Sequence, residues 1–294
     1  MIIKHLKNKD IDFNRWDETI SGSVNRLSYA YSWYLNIVSP GWEALVTPDY
    51  KFVMPITVKK KYKIPYVVQP VLTQQLGVFS TEKTEPEVIN EFIKNIPYYS
   101  YELNLNEENL TEETLLFPNY ILELNKTYQE IKKSFAKNTL RNIEKCNNSQ
   151  LLVDENLSVQ DFINFYESAE NKFYKIESTL LNKLLQAGIE HQKIVLKGVR
   201  GFDDQQLVAV LCLLISGNRI TYLLPVSNEK GKKCFAMFFL INDIIKKEAG
   251  TNKILDFEGS RIDNIARFYK GFGAKNKPYT IIKKFRPSFL VGRV

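Results

Sequence analysis

Between Ile254 and Ala274 the sequence sets acids, a tight turn and a helix start close together. Ile254–Glu258 reads as a short strand; alternation puts Leu255 and Phe257 on one face and Asp256 and Glu258 on the other. Two carboxylates on one strand face can hold a substrate amine or accept its proton. The same pair can instead cap neighbouring backbone or bridge to Arg261 and Arg267. Gly259 turns the chain. Ser260, with Asp263 three residues on, then reads as a capping box for a helix striped with Ile262, Ile265, Ala266, Tyr269 and Phe272, which Gly271 and Gly273 end. A strand whose carboxyl end opens onto a helix N-terminus can hold an anion or a developing negative charge on backbone N–H groups.

A second group of chemistry-bearing residues lies on a helix expected over Thr127–Asn147. Lys133, Lys137, Arg141 and Lys145 fall at steps of four, while Ile131, Phe135, Leu140 and Ile143 can face a core. Four cations on one stripe repel one another, so they are either simply solvated or met by a polyanion. The charge of the chain is distributed in the same sense: net −3 up to Tyr120 and net +10 beyond it, for +7 in all. That bias suits either solubility or an anionic partner, such as a nucleotide-linked sugar, a phosphate-bearing coenzyme, tRNA or an anionic membrane surface.

Other chemistries have little material. His5 and His191 are too few for a histidine metal centre or triad, and no metal site is expected. Cys146, Cys212 and Cys234 are odd in number and far apart, as buried thiols of a reducing compartment would be. The N-terminal stretch has no signal-peptide core and no apolar run reaches the ~18 residues of a membrane span, so a cytoplasmic protein is expected.

The framework for these residues can be read along the chain. Residues 1–40 read as helical pieces with an aromatic cluster at Tyr29, Tyr31, Trp33 and Tyr34. Strands are expected over Trp42–Thr47, Lys51–Val58 and Tyr66–Val71, with a basic turn at Lys59–Lys63; a helix over Pro86–Ile96 precedes strands at Tyr98–Leu105 and Tyr120–Leu124 around an acidic loop, Glu107–Glu113. After the basic helix come helices at Asp161–Glu170 and Ser178–Ala187. Strands at Gln192–Val199, Gln206–Ser216 and Arg219–Leu224, joined by turns at 201–205 and at Gly217-Asn218, should form an antiparallel meander. A helix over Lys233–Ala249, the Ile254–Glu258 strand, its helix, and a strand over Tyr279–Phe285 complete the chain. The reading is a mixed α+β protein with domains at 1–124 and 125–294, the active cleft belonging to the second.

The order β-β-β-α-β-α-β of the second half is that of the GNAT acyltransferase fold, and three stretches narrow the resemblance. Lys137-Asn-Thr-Leu-Arg141-Asn-Ile-Glu-Lys-Cys146 resembles a helix segment of FemAB-type aminoacyl transferases. Asp256-Phe-Glu-Gly-Ser, followed by Ile265-Ala-Arg-Phe268-Tyr-Lys-Gly-Phe272-Gly, resembles their strand end and the helix after it, and Tyr31-Ser-Trp33 resembles the start of their first domain. The resemblance implies two tandem GNAT-like domains, each a mixed, mainly antiparallel sheet flanked by helices, the first without a catalytic signature.

It also implies roles. A lysine on the last helix serves the transfer; Lys270 is the candidate, although counting back from Phe272 the family position falls on Tyr269. As a residue near a helix C-terminus, Lys270 is equally at home in solvent. Arg141, with Lys137 a turn earlier, would grip the phosphates of a nucleotide-linked precursor, and Tyr269 and Arg267 join them as substrate-binding candidates. GNAT enzymes hold the pyrophosphate of acetyl-coenzyme A on a glycine-rich loop; here Ser227-Asn-Glu-Lys-Gly231-Lys232 keeps Gly231 alone of those glycines. FemAB proteins lack that loop too and take aminoacyl-tRNA, so acyl-coenzyme A and aminoacyl-tRNA both stand as donors, and no permanently bound cofactor is expected. The function implied is transfer of an acyl or aminoacyl group to an amine of a cell-envelope precursor or related metabolite in a cleft between domains. The rival is a non-catalytic GNAT-like module holding an anionic glycan precursor, lipid or protein partner. A helix that carries Tyr269 into the cleft and Lys270 into solvent favours that rival.

Overall fold

A computed structural model describes residues 1–285 except 112–114, 171–174, 202 and 204. The chain divides into two compact units, one of residues 1–117 with 278–294 and one of 118–277. In chain order, the first unit begins with β1 (Lys4–Leu6), α1 (Phe13–Gly22), α2 (Ser32–Val38), β2 (Glu43–Val46), β3 (Phe52–Ile56), β4 (Val58–Lys61), β5 (Ile64–Val68), β6 (Phe79–Ser80), α3 (Pro86–Lys94), β7 (Tyr101–Asn104) and β8 (Leu116–Phe117). The second unit carries β9 (Tyr120–Glu123), α4 (Tyr128–Lys132), α5 (Lys137–Asn148), β10 (Leu151–Asp154), α6 (Val159–Ser168), α7 (Ser178–Glu190), β11 (Ile194–Gly201), β12 (Leu207–Ser216) and β13 (Arg219–Ser227). It continues with α8 (Glu229–Lys233), α9 (Ala236–Glu248), β14 (Ile254–Asp256), α10 (Asp263–Gly271) and β15 (Lys275–Asn276). The last strand, β16 (Tyr279–Lys284), belongs to the first unit.

The first unit has two sheets, ordered β1-β2-β3-β6 and β4-β5-β7-β16-β8. Asp12 caps α1 through the N–H groups of Asn14 and Arg15, and Pro86 opens α3, both ordinary helix starts. Trp16 and Trp42 are wholly buried with ring centroids 4.7 Å apart, and Ile89 and Phe92 of α3 pack with Leu45, Met54 and Leu103 of the sheets.

The second unit is built on one seven-stranded sheet, β10-β11-β12-β13-β14-β9-β15. β10 to β13 are antiparallel neighbours, β13 and β14 are parallel, and β9 lies antiparallel between β14 and β15. The nearly all-apolar run Leu207–Ile215 sits near the middle of the sheet, as a strand covered on both faces must. α9 packs Leu240, Ile241, Ile244 and Ile245 into the same core as Leu211, Leu255 and Phe257.

Several sequence expectations are corrected. The 124/125 boundary differs from the compact units, because Tyr120–Glu123 pairs with β14 and Tyr279–Lys284 pairs with β7 and β8; such long-range pairing leaves no local mark. The basic turn at Lys59–Lys63 is β4 leading into a two-residue turn at Tyr62 and Lys63, both at positive φ. The helix expected over Thr127–Asn147 is two helices. Thr127 and Glu130 form a full capping box for α4, but the chain breaks before α5 and the Ala136 N–H donates to the Gly271 carbonyl at 2.9 Å. The helix expected over Lys233–Ala249 likewise breaks at Phe235, which takes φ 57°. Parts of the expected 201–205 turn and 107–113 loop lie outside the described residues. Among the described residues no helix is long and apolar enough to cross a membrane.

The approach of α10 to the α4–α5 junction rests on glycine. Gly273 has φ +81°, and a Cβ there would lie 2.1 Å from Ser134 Oγ and 2.8 Å from Ser134 Cβ. Gly250 has a similar φ of +79° with nothing within 4 Å of the same position. Gly250→Ala should therefore cost only the left-handed backbone strain, about 1 kcal/mol, and Gly273→Ala roughly 2–4 kcal/mol with the clash added. Urea unfolding midpoints of the two variants check the difference.

Candidate functional site

The site begins where two parallel strands part. β13 and β14 pair over three rungs, the last being Thr221 with Asp256. β13 then runs on to Ser227, but β14 ends. Two backbone bonds to β9 set that end: the Phe257 N–H donates to the Tyr120 carbonyl and the Tyr120 N–H to the Glu258 carbonyl, both at 2.9 Å. The chain thus leans toward β9 and away from β13. Asp256 holds this bend. One carboxylate oxygen pairs with Arg219 Nη1 at 2.5 Å, in a setting where both side chains are largely buried, and the other accepts the Glu258 N–H at 2.8 Å. Glu258 in consequence sits at φ +58°, a left-handed conformation that a non-glycine residue adopts only when its surroundings impose it.

The parting opens a cavity of about 380 Å³, every lining residue of which belongs to 118–277. One wall is the edge of β13 from Tyr222 to Ser227, the turn Glu258–Ser260 and α10 face it, and Tyr166 and Glu170 close one side. Pro225 is tolerated within β13 because no described strand pairs with that edge beyond Thr221. The rings behind the cavity are tightly set: Phe257 stacks on Tyr269 at 5.1 Å, and Tyr222 lies edge-on to Tyr269 at 6.1 Å. Burial, with the neighbouring Tyr269 adding to it, holds the Tyr222 hydroxyl well above its ordinary pKa, so it keeps its proton at neutral pH. The thiols are poor nucleophiles, since burial pushes Cys146 up to about 11 and Cys212 further.

The residues singled out in the sequence are distributed unequally. Glu258, Tyr269 and Lys232 line the cavity; Asp256, Lys270, Arg267, Lys137, Arg141 and Gly231 do not. Asp256 and Glu258 do not share a strand face, because the strand stops at Asp256. Tyr269 is buried, whereas Lys270 is exposed with its ammonium 5.4 Å from the Tyr120 ring centroid. α10 starts at Asp263 with Ile262 as its cap residue, and Ser260 Oγ accepts the Ile262 N–H instead of forming a capping box. Lys137 and Arg141 are exposed on α5, where Arg141 Nη2 donates to Asn138 Oδ1 at 3.1 Å.

Gly231 does not mark a phosphate loop. A Cβ there would lie 2.1 Å from the Val208 carbonyl oxygen, so the glycine lets α8 pack on β12. Its N–H is taken by Asn228 Oδ1 at 2.8 Å, and Glu229 places negative charge in the first turn, paired with Lys232 at 2.7 Å. These residues do not fit the pyrophosphate of coenzyme A. Tyr166, Glu170, Tyr222, Phe268 and Arg219 were not signalled by the sequence; Pro225 inside an otherwise β-rich run was the one local hint that a strand edge is open.

The Arg219–Asp256 pair should behave as a buried pair does. Asp256→Ala strands a buried guanidinium and should lower stability by about 3–5 kcal/mol, whereas the apolar double variant Arg219→Met/Asp256→Leu should recover most of that. Denaturant unfolding of the three proteins checks the order.

No family model and no curated protein matches the sequence. Solved structures do. FemX aligns with a TM-score of 0.66 at 12% identity, over 97% of this chain and 96% of that one. The C-terminal domain of a putative lysylphosphatidylglycerol synthetase from Agrobacterium fabrum gives 0.57 at 10% identity over 94% and 92%. A GNAT-family acetyltransferase from Colwellia psychrerythraea gives 0.51 at 10% over 97% and 100%. At such identities the likeness is one of fold, and the fold is the mixed α+β GNAT type carried over two tandem units.

Proposed function

We propose that the protein is an acyl- or aminoacyltransferase that works in the cavity between β13 and β14, within the second unit. The observation that carries the reading is the parting of a parallel strand pair onto an enclosed, ring-walled cavity with a carboxylate at its mouth. An open strand edge offers backbone N–H and C=O groups to an extended, amide-rich ligand, and an N–H so placed can stabilise a carbonyl oxygen as it gains charge. In the step envisaged, a neutral amine nitrogen attacks the donor's carbonyl carbon, Glu258 takes the proton the nitrogen sheds, and the bond to the carrier oxygen breaks as that oxygen is protonated. Lys270 has no part in it, since it is turned to solvent. The resemblance to FemAB-type proteins and the likeness to FemX and a lysylphosphatidylglycerol synthetase support the transferase reading.

The capped, acid-bearing start of α8 argues for an aminoacyl ester over acyl-coenzyme A as donor. Lys137 and Arg141 are the proposed contacts for phosphates of a nucleotide-linked substrate or of tRNA, and the amine of a cell-envelope precursor remains the proposed acceptor. A second reading, a GNAT-shaped module that binds without transferring, is favoured by one observation: Tyr269 stands at the cavity where the resemblance expects the lysine. Mixing the protein with labelled aminoacyl-tRNA or acetyl-coenzyme A and a panel of amines should show binding and transfer with the former only. Glu258→Gln should slow transfer by about 10²-fold, and Arg141→Ala should weaken the nucleotide-bearing ligand at least roughly tenfold. Failure of both donors to bind the folded protein overturns the transferase reading, and binding without transfer to any amine installs the second.

A further inference from the structure

The protein carries net charge +7, yet its cavity is lined mainly by charge of the opposite sign. Three charged side chains reach it. Glu170 and Glu258 are anionic, and the cation, Lys232, is already paired with Glu229 at 2.7 Å. The rest of the lining is largely apolar or aromatic, with the rings of Tyr166, Tyr222, Phe268 and Tyr269 among it. Burial keeps the Tyr222 hydroxyl protonated, so this ring adds no charge and offers its face and its O–H. Aromatic faces and carboxylates in a low-dielectric enclosure attract the same ligand, a cation with alkyl character.

A further observation points the same way. Glu258 is kept at φ +58° by the Asp256 carboxylate, which accepts its N–H and is itself anchored by Arg219. Local strain of this kind persists where the fold over-determines it, and here it places a carboxylate at the cavity. From these observations we infer that the cavity recognises an aliphatic ammonium group that is held, not acylated, while the reaction proceeds. The inference rests on the transferase reading for its setting and names the substrate class: an acyl group or acceptor bearing a second, persistent positive charge. The reacting amine must be neutral to attack, so the caged cation is a different group, either the α-ammonium of an aminoacyl donor or a side-chain ammonium. Asp256 and Arg219 are positioning residues for Glu258 and touch no ligand.

The test uses the full chain without donor, so that it does not depend on turnover. Isothermal titration with n-butylammonium, alaninamide and their neutral counterparts n-butanol and propionamide should show the two ammonium compounds binding at least about tenfold more tightly than the neutral ones. Glu258→Gln should abolish the difference. Glu258→Gly removes the carboxylate and relieves the backbone, so it should lose binding while its melting temperature stays level or rises, which separates the site from a folding defect. Preference for alaninamide assigns the α-ammonium, and preference for n-butylammonium a side chain; either supports the inference. Equal affinity for charged and neutral compounds overturns it, as does unchanged ammonium binding in a Glu170→Gln/Glu258→Gln double variant. A protein that binds ammonium and transfers nothing overturns the transferase reading alone.

Discussion

A carboxylate cannot be left charged and unpaired in a protein interior, and the second unit is arranged around how one such group is satisfied. Asp256 lies at the last rung of the parallel β13–β14 pair and meets Arg219, the first residue of β13. Because the pair is largely buried, neither partner can be removed alone without stranding the other. The second oxygen of the same carboxylate takes the Glu258 N–H, which fixes the left-handed turn and sends the chain across to Tyr120 on β9. One interaction thus closes the sheet below the cavity and opens it above.

How much of this could be read from the sequence depends on the range of the interactions. The order of strands and helices in the second half was legible, since apolar runs, Gly217-Asn218 and the Thr127–Glu130 cap are local signals, and the structure returns a meander of β11, β12 and β13 with β14 beside it. The identity of the last turn was legible as a place and illegible as a geometry. Alternation predicts Asp256 and Glu258 on one face, but a tertiary bond from Phe257 to Tyr120 ends the strand between them. The break before α5 has the same origin: the Ala136 N–H bonds to Gly271, far off in sequence. Gly231 illustrates the converse error, a glycine conspicuous beside lysines whose purpose is close packing on Val208.

Helix phase decides what α10 contributes. Ile265, Phe268, Tyr269 and Phe272 recur at helical spacing and turn inward, so Lys270, one step of about 100° past Tyr269, turns out. Arg267 and Lys270 are exposed on that helix, and Lys137 and Arg141 are exposed on α5, whose first turn is tied to the last turn of α10 through Ala136 and Gly271. The cations are therefore gathered outside, where a polyanion can reach them at little desolvation cost.

The exchange of a lysine for Tyr269 then has a consequence larger than the loss of one cation. A lysine at that inward position would bring positive charge to the two carboxylates at the cavity; the neutral, ring-bearing tyrosine brings none, and Lys232 is engaged by Glu229. The balance of charge on the lining is then negative while the helix exterior stays positive. A ligand that satisfies both must be anionic along its carrier and cationic at the end that enters. An aminoacyl group esterified to a phosphate-bearing carrier has that polarity, and an acyl-coenzyme A whose acyl group is uncharged does not. The same substitution that weakens the case for lysine-assisted transfer therefore narrows the ligand, because it makes charge at the inserted end the property on which selection turns.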